Sequence, residues 1–510
     1  MGLQTPATGC GFGLEPGAPP RDWTAASLKP GTRHHRQLCY AAVHMNGTRR
    51  ELVRGLGPWA APAIVIGTMI GTGIFIVPSA MARDAGSIGL VFTVWIAGGV
   101  LSLFGALTYA ELGAALPEAG GEYAYLSRGF SERWGYLFGW MHSIVGRPCS
   151  IATIAAGLLR FVSFLAPAVA VPMATWHIPV PFGSRAYDLV FTPAQVYAVA
   201  VIALVTFVNY LGVRLGGAVQ VMLTAIKVGA VLAVVALGFS AGAHAPAVPM
   251  AVGRGASAAG FLTALVAALW AYDGWSNVSL VGSEVIAPQK NIPRALVGGV
   301  ALVMVLYILV NAACFYVLPF DAVAGSTSVA SDVVQRAIGH GVATWLTVAM
   351  VLCALGTLNS SILSGARVPY AMARDGLFFR FVAGIDPRFR TPANALVFEG
   401  MLASVLALSG TFEDLYSLFI FAQWIFYGLA TASVFGLRRR EPQLARPYRT
   451  WGYPVVPVLF ILGSLALTIN LWLQRPIRSS IGLVLILFGL VFYRRWRRTA
   501  AASRLASSVG

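Results

Sequence analysis

The sequence predicts an all-α polytopic membrane protein with twelve transmembrane helices, and three observations lead to that fold class. The 510 residues are 57% hydrophobic and only 11% charged, whereas soluble domains carry about 25% charged residues. Long apolar stretches recur along most of the chain, and roughly 20 apolar residues suffice to cross a hydrocarbon core. Arginines concentrate in alternate loops between these stretches, which is typical of a membrane protein with a fixed orientation.

The apolar stretches define twelve predicted spans, of which the ninth is short. They are placed at residues 59–81, 88–112, 136–165, 192–211, 218–240, 257–284, 295–318, 341–369, 393–409, 413–436, 454–473 and 477–493. An even number of spans places both termini on the same side of the membrane. The loops on that side carry twenty-one Arg and Lys residues against six on the other side, so the positive-inside rule predicts that both termini are cytoplasmic in a cell membrane.

The remaining composition excludes several classes of partner. The formal net charge of +17 is of a size seen in nucleic-acid-binding proteins, but the arginines lie in short loops between spans, and we expect no nucleic-acid partner. The five cysteines lack metal-site or redox spacing, so we expect no metal, cofactor or disulfide framework. Residues 1–54 are polar, rich in Pro and Gly and aperiodic, which predicts a disordered cytoplasmic tail. Residues 499–510 form a predicted cytoplasmic C-terminal tail.

The first span contains the sequence GTMIGTGIF, from Gly67 to Phe75. One interpretation is close helix packing through Gly67 and Gly71, which form a Gly-xxx-Gly pair. The other is a helix broken near the middle of the membrane, which bilayer physics allows only where the exposed backbone lines a cavity or binds something. The second half-helix would then present free N–H groups and a positive dipole end, which suits a carboxylate.

A second break is predicted in the sixth span, which reads LWAYDGWSNVSL from Leu269 to Leu280. Polar residues crowd its centre, although hydrogen bonds to neighbouring helices would also explain them. Interrupted helices at corresponding positions are typical of transporters with inverted repeats. The sequence therefore predicts a first five-helix repeat over 55–240, an inverted second repeat over 257–436, and two additional helices over 437–498.

Several motifs resemble those of the amino acid–polyamine–organocation permeases, and among them the L-type amino acid transporter group with its bacterial relatives. The resemblance extends from about Gly55 to Arg498. It is carried by GTMIGTGIF, by YAEL (109–112), by GRPCSIATIA (146–155), by AYDGWSNVSLVGSEVIAPQKNIPRA (271–295) and by SGARVPYAMARDGLF (364–378). The resemblance implies a fold of LeuT type with helices 1 and 6 broken, and a site for an α-amino acid.

The resemblance also implies which residues bind the substrate. Backbone N–H groups of Gly71, Thr72 and Gly73 would hold the carboxylate. Backbone carbonyls would hold the ammonium group, and an aromatic side chain on helix 6 would close the site from outside as a gate. The full predicted substrate-binding set is Met69, Ile70, Gly71, Thr72, Gly73, Trp270, Ala271 and Asp273. Within it, the backbone carbonyls of Met69, Trp270 and Asp273 would accept hydrogen bonds from the ammonium group, and Trp270 would be the gate.

Lys227 is a charge inside the fifth predicted span, about ten residues from its start. At 1.5 Å per residue it lies roughly 15 Å deep, and an intramembrane charge costs at least about 2.5 kcal/mol. The resemblance implies that its ammonium group replaces the sodium ion that bridges helices 1 and 8 in related folds, which would make transport sodium-independent. Two alternatives stay open: a fixed structural cation, or a group that titrates and couples transport to protons.

Other buried charges have structural or functional interpretations. Asp273 either attracts the substrate ammonium group or is turned away and tied to Ser276, Asn277 or the helix end. The resemblance departs here, because the mammalian L-type proteins carry glycine at this position while some bacterial relatives carry aspartate. Glu111 and Glu284, near predicted cytoplasmic helix ends, are expected to pair with arginines or backbone N–H groups and not to bind substrate. Arg147 precedes a proline in the third span and is expected to contact the scaffold, with a pathway role as the alternative, and His142 is expected to be structural.

The leading functional hypothesis is a sodium-independent amino acid transporter, either an exchanger or a proton-coupled symporter, working by alternating access. The alternatives are a polyamine or organic-amine transporter and an amino acid sensor that does not transport. An enzyme is not expected, because the sequence has no His-Glu-x-x-His or Gly-x-Ser-x-Gly motif. The external loop from Pro167 to Phe191 contains no cysteine, so we expect no disulfide-linked heavy chain.

Overall fold

A computed structural model describes residues 52–509 except positions 72, 179–186, 241–256, 327, 340–342 and 410–411. In this part of the chain most residues are helical, which confirms the all-α membrane class. Ten helical segments are long and apolar enough to cross a membrane, and two shorter apolar helices, Ala259–Ala271 and Ala393–Ser409, stand at the predicted sixth and ninth spans. The count of twelve and the inverted repeat stay predictions. Thr72 and nearly all of the predicted N-terminal tail lie outside the described residues.

The first span is interrupted as predicted. It consists of α1 (Ala60–Met69) and α2 (Gly73–Ala85). The second span, α3 (Ile88–Ala115), begins after Ser87, whose side chain accepts a hydrogen bond from the Leu90 N–H and so satisfies a donor of the first turn. A short helix, α4 (Glu122–Gly129), then precedes the third span.

The third span contains a π-helical turn that the sequence did not indicate. Its parts are α5 (Glu132–Met141), the π turn (His142–Gly146) and α6 (Arg147–Leu165). Pro148 lacks an N–H group and cannot complete the regular hydrogen-bond ladder, which explains a local change of helix type just before it. The π turn brings Arg147 to the start of α6, inside the membrane-spanning segment.

The predicted loop after the third span holds a short 3₁₀ turn (Pro167–Ala170) and a hairpin that was not predicted, with strands β1 (Ala174–Ile178) and β2 (Tyr187–Phe191). The strands pair antiparallel, with Ala174 opposite Phe191 and Ile178 opposite Tyr187. Two spans follow, α7 (Pro193–Tyr210) and α8 (Val213–Ser240).

The sixth predicted span is also interrupted: α9 (Ala258–Ala271) is separated from the short α10 (Asn277–Leu280), and a 3₁₀ turn (Gly282–Glu284) follows. The remaining elements are α11 (Pro288–Val317), α12 (Phe320–Gly325), α13 (Val329–Ile338), α14 (Ala343–Gly365), α15 (Arg367–Arg374), a 3₁₀ turn (Arg380–Ala383), α16 (Ala393–Ser409), α17 (Phe412–Arg440), α18 (Val455–Gln474) and α19 (Pro476–Val509). The last helix continues through the segment predicted as a C-terminal tail.

The two interrupted spans pack among the other helices. Helix α1 contacts α8, α11 and α14, and α2 contacts α9. Outside this centre, many large apolar side chains of α18 and α19 are exposed, among them Leu462, Leu473 and Val484, as expected for surfaces that face lipid. The fold therefore places the exposed backbone of both breaks away from lipid, as a low-dielectric bilayer requires.

Candidate functional site

The first break leaves backbone carbonyls of α1 without partners in their own helix. A helix that ends at Met69 has four such carbonyls in its last turn. Helix α8 satisfies part of this demand, because Lys227 Nζ donates to Gly67 O and also, at 2.8 Å, to Thr357 Oγ1 of α14. The lysine is fully buried. The lysine, carried by the fifth span, therefore joins the first and eighth spans through these two hydrogen bonds.

Two further polar residues of α8 lie on the same helical face as Lys227. Thr224 Oγ1 donates to Ala63 O at 3.0 Å and Gln220 Nε2 donates to the same carbonyl at 3.2 Å. Positions 220, 224 and 227 follow the four- and three-residue spacing that brings side chains to one face of a helix. This face contacts α1 at Ala63, in its first half, and at Gly67, in its last turn, and so holds the helix that ends at the break.

The second break depends on a glycine. Gly274 has φ of +97°, a backbone conformation that favours glycine. A Cβ at Gly274 would also lie 2.3 Å from Thr68 Cγ2 in the first span. The two breaks approach each other closely here, and no other residue type fits the space.

Tyr307 of α11 lies between the two breaks. Its hydroxyl oxygen is 2.6 Å from Met69 O and 3.0 Å from Ala271 O. The single hydroxyl proton serves one carbonyl at a time, so the tyrosine couples the ends of α1 and α9. Met69 and Ala271 both belong to the predicted substrate-binding set.

A cavity of about 40 Å³ lies between the two breaks, which is room for about three water molecules. Six residues of the predicted set line it, and Ile70 does not. The lining residues are Thr68, Met69, Gly71, Gly73, Arg147, Ser150, Thr153, Ile154, Trp270, Ala271, Asp273, Asn277, Thr357 and Ser361.

Gly73 and Trp270 form one wall of this cavity. Gly73 is the first residue of α2, so its N–H group and the next two have no acceptor within that helix. A Cβ at Gly73 would lie 3.0 Å from Ala271 Cα and 3.5 Å from the ring atom Cε3 of Trp270. The glycine lets α9 and the indole ring come close to the start of α2.

Sequence reasoning missed the polar residues that α6 and α14 contribute to the lining. Ser150 and Thr153 are three residues apart on α6, and Thr357 and Ser361 are four apart on α14. Such spacings place side chains on one helical face, and hydroxyl groups at these positions in otherwise apolar spans were the available signal. They supply hydrogen-bonding groups around the cavity.

Asp273 both lines the cavity and is hydrogen-bonded to the scaffold. Its Oδ1 accepts a hydrogen bond of 2.9 Å from the Tyr427 hydroxyl, and that hydroxyl accepts one of 3.2 Å from Ser276 Oγ. Tyr427 belongs to α17, so the carboxylate ties the second break to the tenth predicted span. The contact favours the structural interpretation of Asp273 without removing it from the cavity.

Arg147 contacts the scaffold, as expected, and also lines the cavity. Its Nη2 donates to Asn277 Oδ1 at 2.8 Å and its Nε donates to His142 Nε2 at 3.4 Å. The guanidinium also interacts electrostatically with three carboxyl groups, those of the buried Glu122 and Glu399 and of the half-buried Asp273. One arginine therefore faces several acidic residues.

The two acidic residues that were expected to pair with arginines do so. Arg367 donates to both carboxylate oxygens of Glu284, at 2.6 and 2.9 Å, and the pair is buried. Arg438 donates to both oxygens of Glu111, at 2.9 and 2.7 Å. Neither carboxylate lines the cavity, so the expectation that both are ion-pair partners is confirmed.

Glu122, in the short α4 outside the spanning helices, is a further buried acid. It is 1% exposed, and neither carboxyl oxygen has a hydrogen-bond partner in the described part of the chain. Burial raises the pKa of Glu122 from 4.5 to about 7. Among the described residues, no group of three or more His, Cys, Asp and Glu could hold a metal ion.

Comparison with known proteins gives one family over most of the chain. The model of the amino acid permease family matches residues 56–493. The chain is 31% identical over 463 residues to the serine/threonine exchanger SteT of Bacillus subtilis (strain 168), covering 89% of this chain and 99% of that protein. It is 32% identical over 449 residues to the human b(0,+)-type amino acid transporter 1, covering 87% and 88% of the two chains. It is 29% identical over 434 residues to the human cystine/glutamate transporter, covering 84% and 83%.

Proposed function

The chain belongs to the amino acid permease family, and from that premise we propose that it is a sodium-independent exchanger of small amino acids, working by alternating access. The single observation that carries this proposal is the cavity between the two breaks, with Gly71 and Gly73 on one side and Ala271 on the other. Its volume, about 40 Å³, is less than any amino acid occupies, so substrate binding requires the walls of the cavity to move apart. The small residues Gly71, Gly73 and Ala271 favour a substrate with a small side chain. The relative that is named a serine/threonine exchanger makes L-serine the first substrate to test.

In this proposal the substrate carboxylate accepts hydrogen bonds from N–H groups of Gly71, Thr72 and Gly73. Unpaired N–H groups at the start of α2 suit an anion, because the helix dipole adds to their attraction. The ammonium group meets backbone carbonyls of the breaks. Met69 O and Ala271 O are shared with the Tyr307 hydroxyl, so substrate binding would compete with that tyrosine for them. Ile70 remains in the proposed set as part of the break.

Sodium independence rests on the ammonium group of Lys227. It donates to Gly67 O and Thr357 Oγ1, and so places an ammonium group between the first and eighth spans. A lysine held by two acceptors at this place would leave no role for a bound cation. Trp270, packed near Gly73, is the proposed outer gate.

The charges of the loops indicate how the protein is oriented in its membrane. We place the protein in the cell membrane with both termini cytoplasmic, because arginines concentrate in the loops of that side. The loop from Pro167 to Phe191 has no cysteine, and we propose that the transporter works without a disulfide-linked heavy chain. Fusions of a reporter to each terminus would test the orientation.

Counterflow in proteoliposomes tests the proposed function. Vesicles loaded with L-serine should accumulate labelled external L-serine equally in sodium and in choline buffer. Empty vesicles should accumulate much less. Loss of uptake in choline would overturn sodium independence. Equal uptake into empty vesicles under an inward proton gradient would indicate proton-coupled symport and not exchange. Absence of any flux despite serine binding would indicate a sensor.

A second candidate is transport of an organic amine, which Asp273 favours because its carboxylate lines the cavity. Such a substrate has no carboxylate and would not need the N–H groups of the first break. Inhibition of serine counterflow by putrescine, and accumulation of labelled putrescine, would support it. Inhibition by serine analogues that retain both the carboxylate and the ammonium group would support the amino acid site.

A further inference from the structure

Glu399 is a buried acid that the proposed transport mechanism does not use. It lies in α16 (Ala393–Ser409) and is 0% exposed. Neither of its carboxyl oxygens has a hydrogen-bond partner in the described part of the chain. An ionised carboxylate without hydrogen bonds is costly in an apolar interior, and binding a proton removes that cost.

Glu399 lies beside Arg147, the guanidinium residue of the cavity wall. A Cβ at Gly365, the last residue of α14, would lie 2.5 Å from Arg147 Cγ and 2.5 Å from Glu399 Oε2. Because residue 365 is a glycine without a side chain, Arg147 and Glu399 can both occupy the space beside it. The guanidinium hydrogen bonds of Arg147 are made elsewhere, to Asn277 and His142.

The elements packed against α16 are α6, α7, α14, α15, the π turn and the 3₁₀ turn after α15. Arg367 is already engaged by both oxygens of Glu284, which makes Arg147 the cation whose partner can change. Helix α7 presents Thr206, a hydroxyl group near Gly400, and α14 presents Gly365. Two cations interact electrostatically with Glu399, Arg147 of α6 and Arg367 of α15. Of the other titratable groups on these elements, His142 of the π turn contacts Arg147, and Arg380 of the 3₁₀ turn is exposed.

We propose that Glu399 is a proton-binding site that positions Arg147 and thereby controls substrate affinity; this regulation rests on the proposed function. With Glu399 neutral, the guanidinium stays on Asn277 at the cavity wall. When the proton leaves to bulk water, the new carboxylate draws the guanidinium away from Asn277. Because Asn277 also lines the cavity, the loss of this hydrogen bond changes the cavity wall. Substrate therefore binds more weakly as the pH rises.

The test is the pH dependence of L-serine counterflow by the full-length wild type and by Glu399→Gln, which mimics the protonated acid. The apparent KM of the wild type should rise by about fivefold or more between about pH 5.5 and about pH 8, the lower end of typical coupling between two sites. Glu399→Gln should keep the low-pH KM throughout. A parallel KM–pH profile in both proteins would overturn the proposal.

Glu118→Gln is the matched control, since it removes an exposed carboxylate that pairs with Arg128 and should retain the wild-type profile. If the Glu399 variant does not fold, a second measurement remains. The Kd of the purified wild type for L-serine, measured by thermal shift, should also rise with pH. A Kd that is constant over this range would refute the proton site. Absence of counterflow by the wild type at every pH would instead contradict the proposed function.

Discussion

Replacement of Lys227 by methionine keeps an unbranched side chain that is one atom shorter, and removes its charge and donors. The lysine donates to Gly67 O and Thr357 Oγ1, and hydrogen bonds of charged groups contribute about 1.5–3 kcal/mol each. Thr357 Oγ1 is itself 3.2 Å from Gly67 O, so its hydroxyl can take over that carbonyl. The net loss is then about 3 kcal/mol, or roughly a 100-fold fall in kcat/KM if the break must be ordered for transport.

The assay is L-serine counterflow in sodium-free proteoliposomes, with the amount of folded protein measured by size exclusion. Lys290→Met is the matched control, because Lys290 is exposed and lies at the start of α11, before its apolar part. This variant should exchange serine at the wild-type rate. Wild-type kcat/KM for Lys227→Met in the absence of sodium would refute the proposed role of the lysine as the fixed cation of the first break.

Three further predictions concern the cavity and its surroundings. Gly73→Val should weaken serine binding by more than about tenfold, because even a Cβ there would lie 3.0 Å from the backbone of α9. The control Gly298→Val, with nothing within 4 Å of its Cβ, should bind serine normally, and equal serine affinities of the two variants would contradict the site. Asp273→Asn should keep the serine affinity within about threefold, and a tenfold loss would instead indicate that Asp273 binds the substrate ammonium group. Tyr427→Phe should cost about 1–3 kcal/mol of stability, because it leaves the carboxylate of Asp273 without its donor. Burial raises the pKa of Glu122 from 4.5 to about 7, so the native state binds this proton more tightly than the unfolded state, and the stability should fall as the pH rises from 4.5 to 7. Glu122→Gln should remove this fall and be more stable than the wild type at about pH 8 by about 3 kcal/mol. If thermal unfolding shows the same fall of stability with pH in Glu122→Gln as in the wild type, the role of Glu122 is excluded.

The spans and the first break could be predicted because they follow from local chemistry. Apolar length alone identifies a membrane-spanning segment, and Gly71 and Gly73 in such a segment weaken the helix at a definite place. The pairs of Glu284 and Glu111 with arginines were expected for a similar reason, since a carboxylate near the end of a spanning helix requires a counter-charge. The particular partners, Arg367 and Arg438, depend on packing between helices far apart in sequence.

The missed features depend on which helices become neighbours. Ser150 and Thr153 are unremarkable hydroxyl residues until α6 packs against the cavity between the two breaks. The sequence favoured a scaffold role for Arg147, but the π turn before Pro148 changes the direction of its side chain, and the structure places it in the cavity wall as well. The hairpin between β1 and β2 was missed because the segment was treated as an irregular loop.

The sequence by itself determined the membrane class, the approximate spans, the two places where helices break and the presence of a buried lysine, because hydropathy and glycine content act over a few adjacent residues. Only the tertiary structure decided that Lys227 meets Gly67 and Thr357, that Tyr307 bridges Met69 and Ala271, and that Glu399 lies beside Arg147. These contacts join residues between 36 and 252 positions apart. A bilayer forces each exposed polar group to find such a partner without specifying which helix supplies it.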